Sequence, residues 1–437
     1  MAKPRNIIIA GAAGRDFHNF LVYYKNNPNY NVVCFTAAQI PGIAHRFFPR
    51  ILAGGKYPKG IHIFPEEKLP QLIKKFNVQE VVLAYSDVSH EHVMHFASMV
   101  MANGADFSLL GPNSTMLFSR RPVIAVCAVR TGSGKSQTSR YIATALKKAG
   151  KRVVVVRHPM PYGNLAKQAV QRFSVYKDLE RHECTIEERE EYEQYISNSI
   201  TVFAGVDYEK ILRRAEREAD VIVWDGGNND IPFFKPRLHV VVVDPQRPGH
   251  EARYYPGETN FRMADIIVIN KMNTSKKKAV KQILENINAL NPKAIVVKAN
   301  SNIIVEHSGS LKGKKALVIE DGPTLTHGEM EIGAGMIAAK RLGVKVVDAQ
   351  KHSVGSVRET YKRYPRLKKV LPAMGYGKKQ IRELAQTINN STSGIVLSAT
   401  PIDLSKILKI RRKIVRVRYE LEEIGKQRLL REVMKVA

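Results

Sequence analysis

The sequence predicts an α/β protein with mostly parallel sheets. Short apolar runs of strand length recur along the 437-residue chain, and segments with the periodicity of amphipathic helices separate them. Glycine-rich turns follow two of these runs, at residues 11–14 and 132–134. Strand, turn and helix in this order are typical of βαβ units, in which a helix connects two parallel strands.

Two joints divide the predicted chain into three parts. Residues 1–119 alternate strand-like runs with helical segments, so we expect a Rossmann-like domain there, with Arg120–Pro122 as the joint that follows it. Residues 120–310 predict a second α/β domain, and residues 311–437 an α/β C-terminal portion. The first glycine-rich turn lacks GxGxxG spacing, and no acidic residue ends the second strand. The N-terminal domain is therefore interpreted as a scaffold for packing or for an anion other than a dinucleotide.

The segment VRTGSGKS, Val129–Ser136, predicts a phosphate-binding loop. It lies between an apolar run and a helical segment, and its glycines let consecutive backbone N–H groups turn toward phosphate oxygens. Lys135 is expected to bridge the outer phosphates, and Ser136 to bind Mg²⁺. The predicted contacts to ATP or GTP come from Thr131, Gly132, Ser133, Gly134, Lys135, Ser136 and Gln137. Although Val129 replaces the first glycine of the GxxxxGK[ST] pattern, the context predicts a P-loop NTPase domain with a mostly parallel sheet.

Two further charged residues are expected to act with Lys135. Asp225 ends the apolar run VIVW, where a carboxylate is costly to bury unless it serves Mg²⁺ or its water. We expect Asp225 to be catalytic and, with Ser136, a metal ligand; a structural cap is the alternative. Arg130 stands where one P-loop subclass carries an extra lysine, so it is a catalytic candidate that contacts phosphate. An exposed salt-bridge partner is the equal alternative for Arg130.

The segment INKMN, Ile269–Asn273, resembles the base-recognition box of GTPases, NKxD. Asn270 and Lys271 match this box, but Asn273 replaces its aspartate, and an amide both donates and accepts hydrogen bonds. Guanine and adenine therefore both remain compatible with the site. The segment KANS, Lys298–Ser301, is expected at the next strand end, where it would add a base contact.

Four segments of the chain together resemble a known family. They are VRTGSGKS, VIVWDGGNND, VVVVDPQRPGHEARYYPGETNFRMADIIVINK and VIEDGPTLTHGEMEIGAGMIAAKRLG. They are similar to the archaeal and bacterial predicted GTPases related to cyclic 2,3-diphosphoglycerate synthetase, a SIMIBI-type P-loop group. The resemblance covers most of the chain. It implies an ATP-dependent ligase that closes an intramolecular phosphoanhydride in a small phosphorylated acid, 2,3-diphosphoglycerate.

A polyanionic substrate of that kind needs several cationic groups near the γ-phosphate. The candidates are Arg157 and His158 after one strand and Arg247, His250 and Arg253 in a later loop. A second polar set follows another predicted strand, where α/β sheets commonly bind ligands: Glu320, Asp321, Thr324 and His327. Solvated loop charges are the alternative for the first set, and turn and helix-cap chemistry is the alternative for the second.

Composition limits the location and the partners of the protein. The apolar runs are too short to span a membrane, and the three cysteines lack metal-ligand spacing, which together indicate a cytoplasmic protein without a disulfide framework. The formal net charge of +29 would attract nucleic acid, but the basic residues are dispersed and no nucleic-acid motif accompanies them. The acidic run Glu183–Glu193 is interpreted as a solvated helix face, with a lid as the alternative.

The leading hypothesis is an Mg²⁺-dependent P-loop enzyme that uses ATP or GTP to modify a small phosphorylated acid. A GTPase switch or metallochaperone, and a nucleic-acid-associated NTPase, are the competing hypotheses. Because related P-loop proteins often pair two sites across a dimer, a homodimer is expected.

Overall fold

The computed structural model describes residues 3–38, 43–157, 163–227, 230–306, 309–321, 333–367, 369–373 and 378–437. The strands within these ranges are β1 (Arg5–Ala10), β2 (Tyr30–Ala37), β3 (Phe47–Phe48), β4 (Ile61–Pro65), β5 (Glu80–Leu83), β6 (Val88–Ser89), β7 (Asp106–Ser108), β8 (Val123–Ala128), β9 (Val153–Val156), β10 (Gln171–Phe173), β11 (Thr201–Ala204), β12 (Val221–Trp224), β13 (Leu238–Val243), β14 (Tyr254–Tyr255), β15 (Ile266–Ile269), β16 (Ile295–Glu306), β17 (Lys315–Asp321), β18 (Lys345–Val346), β19 (Leu371–Ala373), β20 (Ile395–Ala399) and β21 (Lys413–Glu423).

The α-helices of the described ranges connect these strands. They are α1 (Gly14–Asn19), α2 (Arg50–Ala53), α3 (Leu69–Lys75), α4 (His90–Ala102), α5 (Pro112–Thr115), α6 (Lys135–Lys148), α7 (Tyr176–Arg181), α8 (Ile186–Ile196), α9 (Tyr208–Glu218), α10 (Gly257–Met263), α11 (Lys277–Leu290), α12 (Ala334–Leu342), α13 (Gly355–Arg363), α14 (Lys378–Asn390) and α15 (Arg428–Val436). In this described part of the chain, no helix is both long and apolar enough to cross a membrane.

The N-terminal domain is built on a sheet with the strand order β3-β4-β2-β1-β5-β7. Its pairings are parallel, apart from the antiparallel pair β3 and β4. The central strand β1 buries Ile7–Ala10 completely. A strand buried on both faces is a continuous apolar run, which is how the sequence signalled it. The predicted Rossmann-like arrangement is confirmed.

A larger sheet carries the rest of the molecule, in the order β10-β11-β9-β12-β8-β13-β15-β16-β21-β20-β17-β18, with β19 beside β17. Strand β8 lies between β12 and β13, parallel to both, and all its residues are buried. The phosphate-binding loop thus follows a central strand whose position is fixed on both sides. The predicted mixed α/β fold with a mostly parallel sheet is confirmed.

Strand β16 joins the central domain to the C-terminal portion. Its first residues pair in parallel with β15, and Ala299–Glu306 pair antiparallel with β21. The sheet is therefore continuous through the predicted joint at residue 310. The final helix α15 returns to the central domain, where Leu429 and Val433 enter the same apolar core as Ile142 of α6.

The interpretation of Glu183–Glu193 as a solvated helix face is wrong. Helix α8 buries several of its glutamates, and their carboxylates have specific partners. Glu190 accepts a 2.6 Å hydrogen bond from the Thr400 hydroxyl, and Glu193 accepts one of 3.1 Å from the Asp403 backbone N–H. These bonds offset the cost of burying charge, and they attach α8 to the loop that follows β20.

The N-terminal domain packs on the central domain through an aromatic cluster. The imidazole of His18 stacks on Phe233 with 4.0 Å between ring centroids, and Phe233 packs on Trp224 at 4.7 Å. The Arg15 guanidinium donates a 3.1 Å hydrogen bond to the Ile231 carbonyl beside this cluster. Strand β6 of the N-terminal domain also pairs with β14 of the central domain. The two domains therefore share a buried interface at the carboxyl edge of the first sheet.

The bond between Glu190 and Thr400 predicts a stability difference. In Thr400→Val, the carboxylate of Glu190 loses a buried donor at nearly constant side-chain volume, which costs about 1–3 kcal/mol. We expect a lower melting temperature for Thr400→Val and a value near wild type for Thr400→Ser, which keeps the hydroxyl. Equal melting temperatures for the two variants would contradict this account of α8.

Candidate active site at the phosphate-binding loop

The loop between β8 and α6 has the backbone geometry of an anion cradle. Gly132 and Gly134 have φ values of +80° and +110°, a region that disfavours side chains. A Cβ at position 134 would lie 2.0 Å from Asn270 Nδ2, so only glycine fits there. Helix α6 begins at Lys135, and its first N–H groups point into the loop, where the helix dipole favours an anion.

Residues of the predicted base-recognition box hold this loop in place. Asn270 donates from Nδ2 to the Ser133 carbonyl at 2.9 Å, and Lys271 donates from Nζ to the Gly132 carbonyl at 2.8 Å. Lys271 also pairs with Asp244 at 2.7 Å. In this structure, Asn270 and Lys271 brace the phosphate-binding loop, and their contact to a base stays a prediction.

Asn273 and Gln137 both contact Ser301 of β16. The Asn273 amide donates to the Ser301 carbonyl at 3.1 Å and accepts from the Ser301 N–H at 3.3 Å. Gln137 exchanges hydrogen bonds with the Ser301 hydroxyl at 3.1 and 3.2 Å. The segment Lys298–Ser301 lies inside the twelve-residue strand β16, whereas it was expected at a strand end. Its antiparallel pairing with β21 is a long-range contact that the local sequence did not signal.

Lys135 and Asp225 form the central ion pair of the site. Lys135 Nζ lies 2.5 Å from Asp225 Oδ1, which also accepts a 2.8 Å hydrogen bond from the Ser139 hydroxyl. The other carboxylate oxygen, Oδ2, lies 2.6 Å from Arg157 Nη1 and accepts a 2.6 Å bond from the Tyr195 hydroxyl. Asp225 is fully buried, and each of its oxygens has one hydroxyl donor and one cation as a neighbour.

The protonation of this ion pair follows from burial and neighbouring charge. Burial would raise the pKa of Asp225, but Arg157 and Lys135 outweigh it and hold that pKa well below its usual range. Burial and the Arg157 guanidinium lower the pKa of Lys135 to about 8, although Asp225 acts in the opposite direction. Arg157 also pairs with Glu191 of α8. Lys135 therefore has a depressed pKa close to neutral pH.

The predicted Mg²⁺ ligands differ in how well they fit a cation. Ser136 is partly exposed in the first turn of α6, beside the cradle, as a ligand shared with phosphate oxygens requires. Asp225 does not fit a direct ligand in this arrangement, because Lys135 and Ser139 bond one of its oxygens, and Tyr195 and the Arg157 cation lie against the other. No group of three or more acidic, histidine or cysteine side chains within the described ranges forms a separate metal site. The metal role of Asp225 stays a prediction.

Arg130 connects the loop to the N-terminal domain. Its Nε lies 2.6 Å from Asp87 Oδ1, and Nη1 lies 2.9 Å from His250 Nδ1. Its guanidinium carbon lies 3.6 Å from the centre of the Tyr254 ring, a cation–π contact. Burial and Arg130 lower the pKa of His250 to about 4, so this histidine is neutral at physiological pH. Arg130 is a buried salt-bridge partner rather than an exposed one.

Sequence reasoning missed Asp87. Its second oxygen accepts a 3.3 Å hydrogen bond from the Thr131 N–H, inside the phosphate-binding loop. Asp87 shortly follows the apolar strand β5 of the N-terminal sheet, as Asp225 directly follows β12. An acidic residue near the carboxyl end of a buried strand was the available signal. Its significance depends on how the two domains dock, which the local sequence does not encode.

The predicted substrate residues lie in different environments in the structure. Arg247 and His250 contact the loop: Arg247 Nη2 donates to the Thr131 carbonyl at 2.7 Å, and His250 lies 2.9 Å from Arg130. Arg157 contacts Asp225, the partner of Lys135. The Arg253 side chain is exposed. His158, Thr324, His327 and the side chain of Asp321 lie outside the described residues.

Glu320 is not brought to the phosphate-binding loop. It accepts a 2.9 Å hydrogen bond from the Met336 N–H at the start of α12. Strand β17 runs antiparallel to β8 because the direction reverses between β16 and β21. The carboxyl end of β17 therefore lies at the opposite edge of the sheet, and β17 is six strands away from β8.

The glycine-rich cradle follows a central parallel strand and leads into a helix that begins at Lys135, which is the arrangement of a P-loop enzyme that uses a nucleoside triphosphate. Residues 201–300 match the model of the cyclic 2,3-diphosphoglycerate synthetase P-loop domain. Arginine synthetase ArcE of Thermococcus kodakarensis is 57% identical over 428 residues, which are 98% of this chain and 96% of that protein. The chain belongs to the P-loop family related to cyclic 2,3-diphosphoglycerate synthetase, which includes this synthetase, and it is an ATP-dependent ligase.

Solved structures show only distant similarity. LpxK from Aquifex aeolicus in complex with ATP is 15% identical with a TM-score of 0.46, covering 79% of this chain and 95% of that one. Cobyrinic acid a,c-diamide synthase from Mycobacterium smegmatis, with an ATP analogue and magnesium, is 16% identical with a TM-score of 0.19, covering 41% and 72%.

The lack of space between Gly134 and Asn270 predicts the effect of adding a single methyl group at position 134. Gly134→Ala places a Cβ on the Asn270 amide and should weaken ATP binding at least tenfold, measured by calorimetry. The matched control is Gly150→Ala, because Gly150 also has a positive φ of +82° but has no atom within 4 Å of its Cβ position. Equal ATP affinities in the two variants would contradict a steric role for Gly134.

The pKa of Lys135, about 8, predicts a pH dependence of nucleotide binding. Phosphate oxygens favour the charged amine, so ATP binds the protonated form, and above pH 8 binding must take up a proton. The affinity should be constant below that pH and fall above it, approaching about tenfold per pH unit. Lys135→Arg should lack this decline, because its guanidinium stays charged. A constant wild-type affinity from pH 7 to 9.5 would refute the assignment.

Proposed function

We propose that the protein forms arginine by the ATP-dependent amination of a ureido amino acid. The observation that carries this proposal is the 57% identity to an arginine synthetase across 98% of the chain. Arginine differs from citrulline in having a nitrogen in place of the ureido oxygen. Ammonia is the simplest donor of that nitrogen.

The chemistry requires that the ureido oxygen be made a leaving group. The oxygen attacks the γ-phosphorus of ATP, the bond from that phosphorus to the β,γ-bridging oxygen breaks, and ADP leaves. Ammonia then attacks the ureido carbon, and the carbon–oxygen bond breaks to release phosphate. Citrulline, ammonium and ATP thus give arginine, ADP, phosphate and one proton, and the guanidinium group of arginine carries the positive charge.

The residues of the cradle suit the first of these steps. Backbone N–H groups of residues 131–136 and the Lys135 amine would hold the β- and γ-phosphates, and Arg157 would neutralise negative charge during transfer. Mg²⁺, when bound with the nucleotide, would neutralise phosphate charge beside Ser136. Positioning and charge supply most of the catalysis in phosphoryl transfer, which agrees with a site made largely of fixed donors.

Closure of a phosphoanhydride in 2,3-diphosphoglycerate is the second candidate. The matched family description at residues 201–300 favours it, as do the cations Arg157 and Arg247 near the loop. In that reaction, ATP would drive the loss of water between two phosphate groups of one small acid. Whether GTP can replace ATP depends on base contacts that stay a prediction.

Isotope labelling tests the arginine reaction directly. The full chain is incubated with Mg²⁺, ATP, ¹⁵N-ammonium and citrulline carrying ¹⁸O in the ureido group, in parallel with GTP. We expect ¹⁵N in the arginine guanidinium and ¹⁸O in the released phosphate, both absent from Lys135→Ala. A parallel incubation with 2,3-diphosphoglycerate should give no cyclic product. A cyclic product without arginine would establish the second candidate, and Lys135-dependent turnover indifferent to both substrates would contradict both.

A further inference from the structure

The carboxyl edge of the N-terminal sheet closes over the phosphate-binding loop. The chain leaves β5 at Leu83 and reaches Asp87, which bonds Arg130 at 2.6 Å and the Thr131 N–H at 3.3 Å. In open α/β sheets, this edge is where ligands bind. The N-terminal domain thus contacts the phosphate-binding loop directly.

Two buried carboxylates lie beside Asp87 at this edge. Asp230 is 4% exposed, and Asp16 is 2% exposed. Burial raises the pKa of Asp230 to about 6; Arg15 and Lys135 act to lower it, and Asp87 acts to raise it. Asp230 is therefore within electrostatic range of both the P-loop lysine and the carboxylate of the other domain. Asp16 in turn interacts with Asp230 and has a pKa raised to about 7, chiefly by burial.

Buried polar atoms in the same region lack hydrogen-bond partners among the described residues. Asp16 Oδ1, on the N-terminal side, makes no hydrogen bond, and neither does the Thr131 hydroxyl in the loop. Tyr85 is 6% exposed; burial raises its pKa most, followed by its interaction with Glu66 and then by the charge of Asp16. An unpaired buried polar atom costs about 1–3 kcal/mol, so one on each side of the domain boundary indicates a place for a polar ligand.

We propose that the group formed by Asp16, Tyr85, Asp87 and Asp230, here called the carboxylate pocket, binds the ureido end of the substrate and the guanidinium end of the product. This inference rests on the proposed function. A guanidinium presents five N–H donors in a rigid plane, and carboxylates accept them in pairs. A ureido group also presents N–H donors, while its oxygen would face Lys135 and the γ-phosphate.

The pocket also distinguishes the two candidate substrates. Carboxylates repel a diphosphorylated acid and attract a guanidinium. Arg130 and Arg15 balance Asp87 and Asp230 in the nucleotide-free structure. Nucleotide phosphates compete with Asp87 for Arg130, and this competition leaves the Asp87 carboxylate available to a cationic ligand.

The test is calorimetric binding of L-arginine to the full chain in the presence of ADP. Asp87→Asn and Asp230→Asn should each weaken arginine binding at least tenfold, and cooperative melting curves by circular dichroism should show that both variants fold. The matched control is Asp106→Asn, which removes one charge from an exposed carboxylate of the same domain that pairs with Arg5. This control should bind arginine as wild type does.

The outcomes distinguish a failure of the pocket assignment from a failure of the proposed function. If wild type forms arginine and both pocket variants bind it normally, the pocket assignment is overturned and the function stands. If wild type neither binds nor forms arginine, the pocket assignment and the proposed function both fail. If Asp230→Asn does not fold, the arginine affinity of Asp87→Asn tests the pocket assignment, because the Asp87 side chain is 12% exposed and tolerates substitution better.

Discussion

The site depends on a single buried carboxylate, that of Asp225. An unpaired carboxylate in the interior costs several kcal/mol, and here two hydroxyl donors and two cations offset that cost. Lys135 and Ser139 come from α6, Arg157 follows β9, and Tyr195 belongs to α8. One charge thus fixes the relative positions of the phosphate-binding helix, the neighbouring strand and the acidic helix. A nucleotide that binds Lys135 competes with this carboxylate for the lysine.

A second group of residues holds the loop from its other side. Asn270, Lys271 and Arg247 all donate to loop carbonyls, at 2.9, 2.8 and 2.7 Å. Three side chains at the carboxyl ends of β13 and β15 therefore set the shape of the cradle before any phosphate is present. Such preorganisation reduces the conformational cost of binding an anion.

The sequence predicts those features that depend on residues close together along the chain. The cradle and Asp225 were identifiable because a glycine-rich turn and a buried strand end are local signals. Glu320 also follows a buried strand, but the reversal at β21 takes it to the far edge of the sheet, and strand direction is not local. The glutamates of α8 looked solvated because their partners, such as Thr400, lie about two hundred residues away in the sequence. The contact of Asp87 with the loop depends on the docking of two domains, which no sequence motif describes.

The packing around Phe233 has a practical consequence. The chain contains one tryptophan, Trp224, which is fully buried, directly precedes Asp225 and packs on Phe233 at 4.7 Å. The opposite neighbour of Phe233 is His18 of the N-terminal domain, stacked at 4.0 Å. Tryptophan fluorescence of the whole protein is consequently a signal from one place, the joint between the two domains beside the Asp225 carboxylate. Domain movement can be followed optically without an added label.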